Sequence, residues 1–303
     1  MIHEYAVDPN SVSSFNEIWQ ALEQFGVGYG RMLVGCPKKW WEIVKRNLAE
    51  AESRMPPAEY KELEERCFRL KEKRILIYRS NLKFDGDKSK TWVQGLLPEH
   101  RERPFRAVLQ LEPELNEEIP ILGKFDFRDK NPLWRVERTI TVPRNDVALA
   151  KAVTPLLRIS SDLLVIDPYF SGEDRHCSTL KHMLEGTFES GGRLNRVEVH
   201  TRTQASSGFL EGNIRRFVHA KLAECPEIQV FKWSQKSGGE RLHDRFILTD
   251  RGGFEFPGGT DSGEEGQTTS VHLLDNEAYL LRWKQYQPET AAFKLVESFC
   301  VPA

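Results

Sequence analysis

The sequence predicts an α/β protein in two parts, and the order of its apolar periodicities is the reason. Residues 11–73 hold three helical apolar stripes, and residues 74–142 then change to short strand-like runs. From Asp146 onward, strand and helix patterns alternate. Helices followed by strands read as an α+β N-terminal domain over residues 1–143, while alternation reads as a sheet flanked by helices over 144–303. The turn signal Pro143-Arg144-Asn145-Asp146 marks the boundary.

In the first part, residues 11–25 place Val12, Phe15, Ile18, Trp19, Leu22 and Phe25 on one helical face. Residues 37–51 follow, with Pro37 at the helix start and Trp41, Val44 and Leu48 along one side. Residues 58–73 run from glutamates to lysines and arginines, the order that suits a helix dipole. Strands are then expected at 74–79, 91–96, 105–111 and 134–142. In the second part, helices are expected at 147–158, where Pro155 bends or shortens the run, and at 176–189 and 210–224. Strands are expected at 161–170, 196–202 and 228–233, and 279–299 supplies aromatic core residues.

The composition excludes several classes. Charged residues make up 29% of the chain but leave a net charge of −2, so attraction to nucleic acid would need a local basic patch. The best such patch is residues 99–106, with His100, Arg101, Arg103 and Arg106; its alternative reading is a solvated loop. No membrane span and no signal peptide is expected, so the protein is expected to be cytoplasmic. The five cysteines are scattered and form no C-x-x-C pair, which suggests reduced thiols and neither a metal site nor a disulfide framework. No cofactor motif is found.

Residues 242–250, LHDRFILTD, place His243, Arg245 and Asp250 at fixed offsets around an apolar run that reads as a buried strand. Read as one strand, His243 and Arg245 share a face, joining an imidazole to a cation that can grip two phosphate oxygens. The pattern H-x-R-x-x-x-x-D is similar to the H-x-K-x-x-x-x-D signature of the phospholipase D superfamily. The likeness extends to Gly258-Gly259-Thr260-Asp261, where that family has Gly-Ser-x-Asn, and to residues 161–170, SDLLVIDPYF, which resemble the opening strand of a phospholipase D-like domain.

The resemblance implies a C-terminal phospholipase D-like domain that cleaves phosphodiesters without a metal, through a covalent phosphohistidine. His243 would be the nucleophile, Arg245 the phosphate-binding cation and Asp250 the supporting carboxylate. Gly258, Gly259 and Thr260 would border the substrate, and Asp167 and Tyr169 at a strand end would join them. That chemistry needs two facing imidazoles. His200-Thr201-Arg202 and His219-Ala220-Lys221 begin a second motif, but Ser207 and Pro226 stand where its carboxylate should be. The resemblance to single-motif members therefore implies a homodimer with one composite site. Nucleic acid, DNA or RNA, is the favoured substrate, and a role in defence against foreign DNA is implied by the resemblance alone. The alternatives are a non-catalytic phosphate- or phospholipid-binding adaptor, and a subunit of a larger complex completed by a partner protein.

Overall fold

The computed structural model describes residues 1–12, 19, 21–72, 74–87, 89–114, 116–123, 125–128, 130–202 and 204–302. Phe15 and Ile18 of the first expected helix lie outside them. The chain separates into two compact units, residues 2–137 and 138–303. The division falls before the expected 143/144 boundary because 139–143 form a strand of the second unit's sheet.

The first unit is built on five parallel strands: β1 His3–Val7, β2 Arg31–Val34, β3 Leu76–Ile77, β4 Ala107–Leu109 and β5 Ile121–Leu122, in the order β3-β2-β1-β4-β5. Helices α1 Pro9–Val12, α2 Trp40–Glu52, α3 Pro57–Glu72 and α4 Trp92–Glu102 accompany them. This corrects the α+β expectation: helices and strands interleave, as parallel connections require. The strand expected at 91–96 is a helix start. Thr91 accepts from the Gln94 amide and the Gln94 side chain accepts from the Thr91 amide, a capping box that fixes α4. The expected strand at 134–142 is shortened from the other end. Trp134 is buried against Tyr5 and Phe25, under the Arg31 guanidinium, in the core of the first unit.

The second unit contains, in order, β6 Thr139–Pro143, α5 Asp146–Leu157, β7 Asp162–Ile166, α6 Asp174–Glu189, β8 Arg196–Thr201, α7 Ser207–Ile214, β9 Ile228–Ser234, β10 Phe246–Thr249, β11 Gly253–Glu255, β12 Thr268–Leu273, α8 Asn276–Gln285 and β13 Lys294–Val301. A π-helical turn, Arg215–His219, continues α7. One eight-stranded sheet runs β13-β9-β8-β7-β10-β11-β12-β6, with β7, β8 and β9 parallel and the remaining pairs antiparallel. The β13–β9 register slips between Leu295 and Glu297, leaving Val296 without a cross-strand partner. Leu164 and Ile166 of β7 and Phe246 and Leu248 of β10 face α8, packing with Trp233, Tyr279 and Tyr286. Leu163, Val165 and Ile247 alternate with them and are equally buried, so the opposite face is covered too. This is a mixed α/β unit.

Pro155 lies near the C-terminal end of α5 and does not break it. All five cysteines are free thiols.

Candidate active site

The chain runs β7, β8, β9 in one direction across the sheet, then returns to place β10 on the other side of β7. Such reversals open a crevice at the carboxyl ends of the parallel strands. Because β10 is antiparallel to β7, with Phe246 opposite Ile166, the residues entering β10 meet those leaving β7. Four segments therefore converge: 167–171 after β7, Arg202 after β8, 242–245 before β10, and 257–261 after β11.

At their centre is Tyr169, 40% exposed. The His243 ring meets it edge-on, with centroids 6.1 Å apart. The guanidinium carbons of Arg245 and Arg202 lie 4.7 and 4.8 Å from its ring centroid, and Arg202 donates to the Tyr169 hydroxyl at 3.0 Å. Arg245 donates to the Pro257 carbonyl at 3.1 Å. A guanidinium has five donors, so both arginines keep capacity to bind an anion. His243 Nδ1 lies 3.6 Å from Asp244 Oδ1, an ion-pair distance too long for a hydrogen bond.

His243 sits in a turn, not on a strand; β10 begins at Phe246. The cause is local. Leu242 is drawn into the α8-side core, and Asp244 is held by Arg282 at 3.4 Å. His243 and Arg245 still converge on Tyr169, through the turn and not through strand alternation.

Beneath the surface, Asp167 fixes the loops. It is buried, its Oδ1 accepts from the Tyr169 amide at 2.9 Å, and its Oδ2 accepts from the Thr260 amide and hydroxyl at 3.0 and 2.8 Å. Gly259 has φ +104°, a conformation that L side chains rarely adopt, and a Cβ there would meet Asp261 Oδ1 at 2.6 Å. A Cβ on Gly258 would collide with the Thr269 hydroxyl. Asp261 does not offer its charge to a phosphate: Arg144 binds Oδ1 at 2.6 Å and Arg175 approaches Oδ2 at 3.0 Å. Gly258, Gly259 and Thr260 thus shape the loop from behind.

Asp167, His176 and Asp261 bring one ligand atom each within 4.8 Å of one another, all three buried, and are the residues that could hold a metal ion. Two guanidinium groups already neutralise Asp261, and Asp167 already accepts three protein hydrogen bonds. Burial holds His176 below the ordinary histidine range, against the opposing pull of Asp167 and Asp261.

Other expected residues lie elsewhere. Asp250 is at the far end of β10, where its Oδ1 accepts from the Ser161 and Asp162 amides at 2.8 and 3.2 Å. Six residues, four of them in β10, lie between it and His243, on the order of 20 Å of chain. It anchors the start of β7 and cannot orient the imidazole. Arg101 and Arg103 belong to the first unit. Arg101 pairs with Glu118 at 2.6 Å, and Arg103 with Glu99 at 2.9 Å and the Ser80 carbonyl at 2.8 Å. His200 is a core residue, stacked on Phe231 and Trp233. Arg144, Arg175 and His176 are not marked by the sequence as site residues, and Arg202 enters it only through the incomplete second motif His200-Thr201-Arg202. Arg202 alone had a readable signal, its place directly after a parallel strand.

No protein-family model and no curated protein matches the chain. Among solved structures, the chain is similar to TrmBL2, an archaeal chromatin protein described as showing a novel mode of DNA binding. The TM-score is 0.28 at 11% identity, over 53% of this chain and 55% of that one, so the chain spans about half of its length. A likeness of that size carries no argument, and function is read from the site.

Proposed function

We propose that the second unit is a phosphodiester hydrolase of the phospholipase D kind, with nucleic acid as its substrate. One observation carries the reading: a half-exposed imidazole converges with two guanidinium groups on one tyrosine at a sheet crevice. Arg245 and Arg202 bind the nonbridging oxygens and stabilise the charge that builds on them. His243 Nε2 attacks phosphorus; the P–N bond forms as the bond to the leaving oxygen breaks. That oxygen takes its proton from His243 of the partner subunit. Water then attacks the phosphohistidine, returns a proton to that imidazole, and frees His243. Among the described residues the crevice holds one such imidazole per chain, so two copies make one site.

The test is degradation of single- and double-stranded DNA and RNA in excess EDTA, native protein against His243→Ala. Cleavage that survives chelation and vanishes in the variant is expected. Cleavage abolished by EDTA overturns the mechanism. Binding of these polymers without cleavage leaves the non-catalytic phosphate-binding adaptor, which the single imidazole also accommodates.

A further inference from the structure

Arg202 and Arg245 bring two guanidinium groups to the crevice, and neither has a carboxylate partner among the described residues. Arg144, Arg175, Arg196 and Arg282 in the same unit each bind one. Like charges repel, and each of these two ends a long side chain whose ordering costs entropy. Something other than opposite charge therefore holds them together.

Their backbones are fixed. The Arg202 amide donates to the Pro168 carbonyl at 3.2 Å, and the Phe256 amide donates to the Arg245 carbonyl at 2.9 Å. The side chains then meet at Tyr169. In the sheet, β7 lies between β8 and β10, so a residue leaving β7 stands between one cation from each neighbour. Besides the ring, Arg202 has the tyrosine hydroxyl and Arg245 has the Pro257 carbonyl, both neutral. Arg245 Nε is buried without a hydrogen-bond acceptor, so among the described residues the ring and one carbonyl are what hold this guanidinium. The Tyr169 amide is tied to Asp167, so its backbone keeps its place whatever the arginines do.

We propose that Tyr169 is the positioning residue of the crevice, holding Arg202 and Arg245 together while leaving the full charge of both for an anion. The inference rests on the crevice being a phosphate site, as the proposed reaction requires. A carboxylate in the same place would hold the guanidinium groups and cancel one of their charges. The negative face of an aromatic ring attracts a cation and brings no net charge of its own. Tyr169 thus organises the two cations without neutralising them. The residue is 40% exposed and supports little of the core, so loss of its ring is read in the crevice and not in the fold.

The experiment titrates inorganic phosphate by calorimetry and measures cleavage of a single-stranded oligonucleotide, in native protein and in Tyr169→Phe, Tyr169→Leu and Tyr169→Glu. Tyr169→Phe keeps the ring and loses one hydrogen bond, so phosphate Kd and KM are expected within about threefold of native. Tyr169→Leu removes the ring, and both are expected to rise about tenfold with the urea midpoint unchanged. Tyr169→Glu supplies a neutralising partner, and phosphate binding is expected to be lost. In an Arg245→Ala background, Tyr169→Leu should weaken binding by only about threefold, because the ring acts through that side chain. Native affinity in Tyr169→Leu overturns the role of Tyr169 and leaves the phosphodiesterase reading intact. So does affinity that falls only in step with the urea midpoint, or a full tenfold loss in the Arg245→Ala background. Phosphate binding in the expected order without any cleavage upholds Tyr169 and overturns the phosphodiesterase. Neither binding nor cleavage in native protein overturns both.

Discussion

Arg245 and Arg202 approach one tyrosine from segments bordering different strands, and their chemistry is not interchangeable with that of lysine. A guanidinium stacks on an aromatic ring while its edge donors face a phosphate; an ammonium is a compact, strongly hydrated point charge. Arg245→Lys is therefore expected to lower kcat/KM by roughly tenfold, and Arg245→Ala by on the order of a hundredfold, with the melting temperature nearly unchanged. Steady-state kinetics on a cleavable oligonucleotide check this; equal loss in both variants would mean that Arg245 acts through shape alone. Asp250 has the opposite profile. Asp250→Ala leaves two backbone amides at the start of β7 without their acceptor, at an expected cost of about 1–3 kcal/mol in urea denaturation. Activity measured well below the melting temperature should survive. The motif was visible in the sequence, but the separate tasks of its two ends were not, because spacing along a chain does not say where a strand begins. Leu242 seeking the core and Asp244 seeking Arg282 moved that start to Phe246.

Among the elements, α4 shows how a readable local signal can be outweighed in the reading by a weaker one. The run TWVQGL has strand-forming residues, yet Thr91 and Gln94 stand three apart as reciprocal caps. Thr91→Ala removes one of those bonds and should destabilise the first unit by about 1 kcal/mol, measurable as a lowered urea midpoint. An unchanged midpoint would mean that tertiary packing alone holds α4. β1 and β2 escaped notice for another reason. Strands inside a parallel sheet are buried on both faces, so MLV and YAV show no alternation to mark them. The three parallel strands of the second unit were legible because LLVI in β7 is an apolar run, RVEVHT and IQVFKWS alternate, and each lies between helical stripes. The pairing of β10 with β7, which builds the site, is a long-range event that no local pattern encodes.

For the molecule as a whole, histidine burial sets a pH dependence. Burial is the largest cause holding His100, His176, His200 and His219 below the ordinary value of 6.5, and it takes His3 to about 4. Five of the eight histidines thus bind a proton more readily unfolded than folded. The stability they confer is complete above about pH 6.5 and is lost as the pH falls through that value toward the folded-state pKa values, with a slope of at most about 1.4 kcal/mol per pH unit for each proton. Urea midpoints should accordingly fall between pH 7.5 and 5.5, in both units. A flat profile over that range would contradict the burial of these rings.

The unpaired Val296 has a consequence for how copies of this chain behave in a crowd. Among the described residues β13 is the terminal strand of the eight-stranded sheet, eight residues long, and on it Leu295 and Val296 are 46% and 64% exposed. A straight edge of that kind is a template on which strands of other molecules add without limit. The extra residue breaks the register where the strand's apolar side chains are most exposed, and the exposed charges of Lys294 and Glu297 flank it. The opposite edge, β6, closes with Pro143, which has no amide hydrogen to offer. Both margins of the sheet thus carry a feature that hinders the addition of further strands.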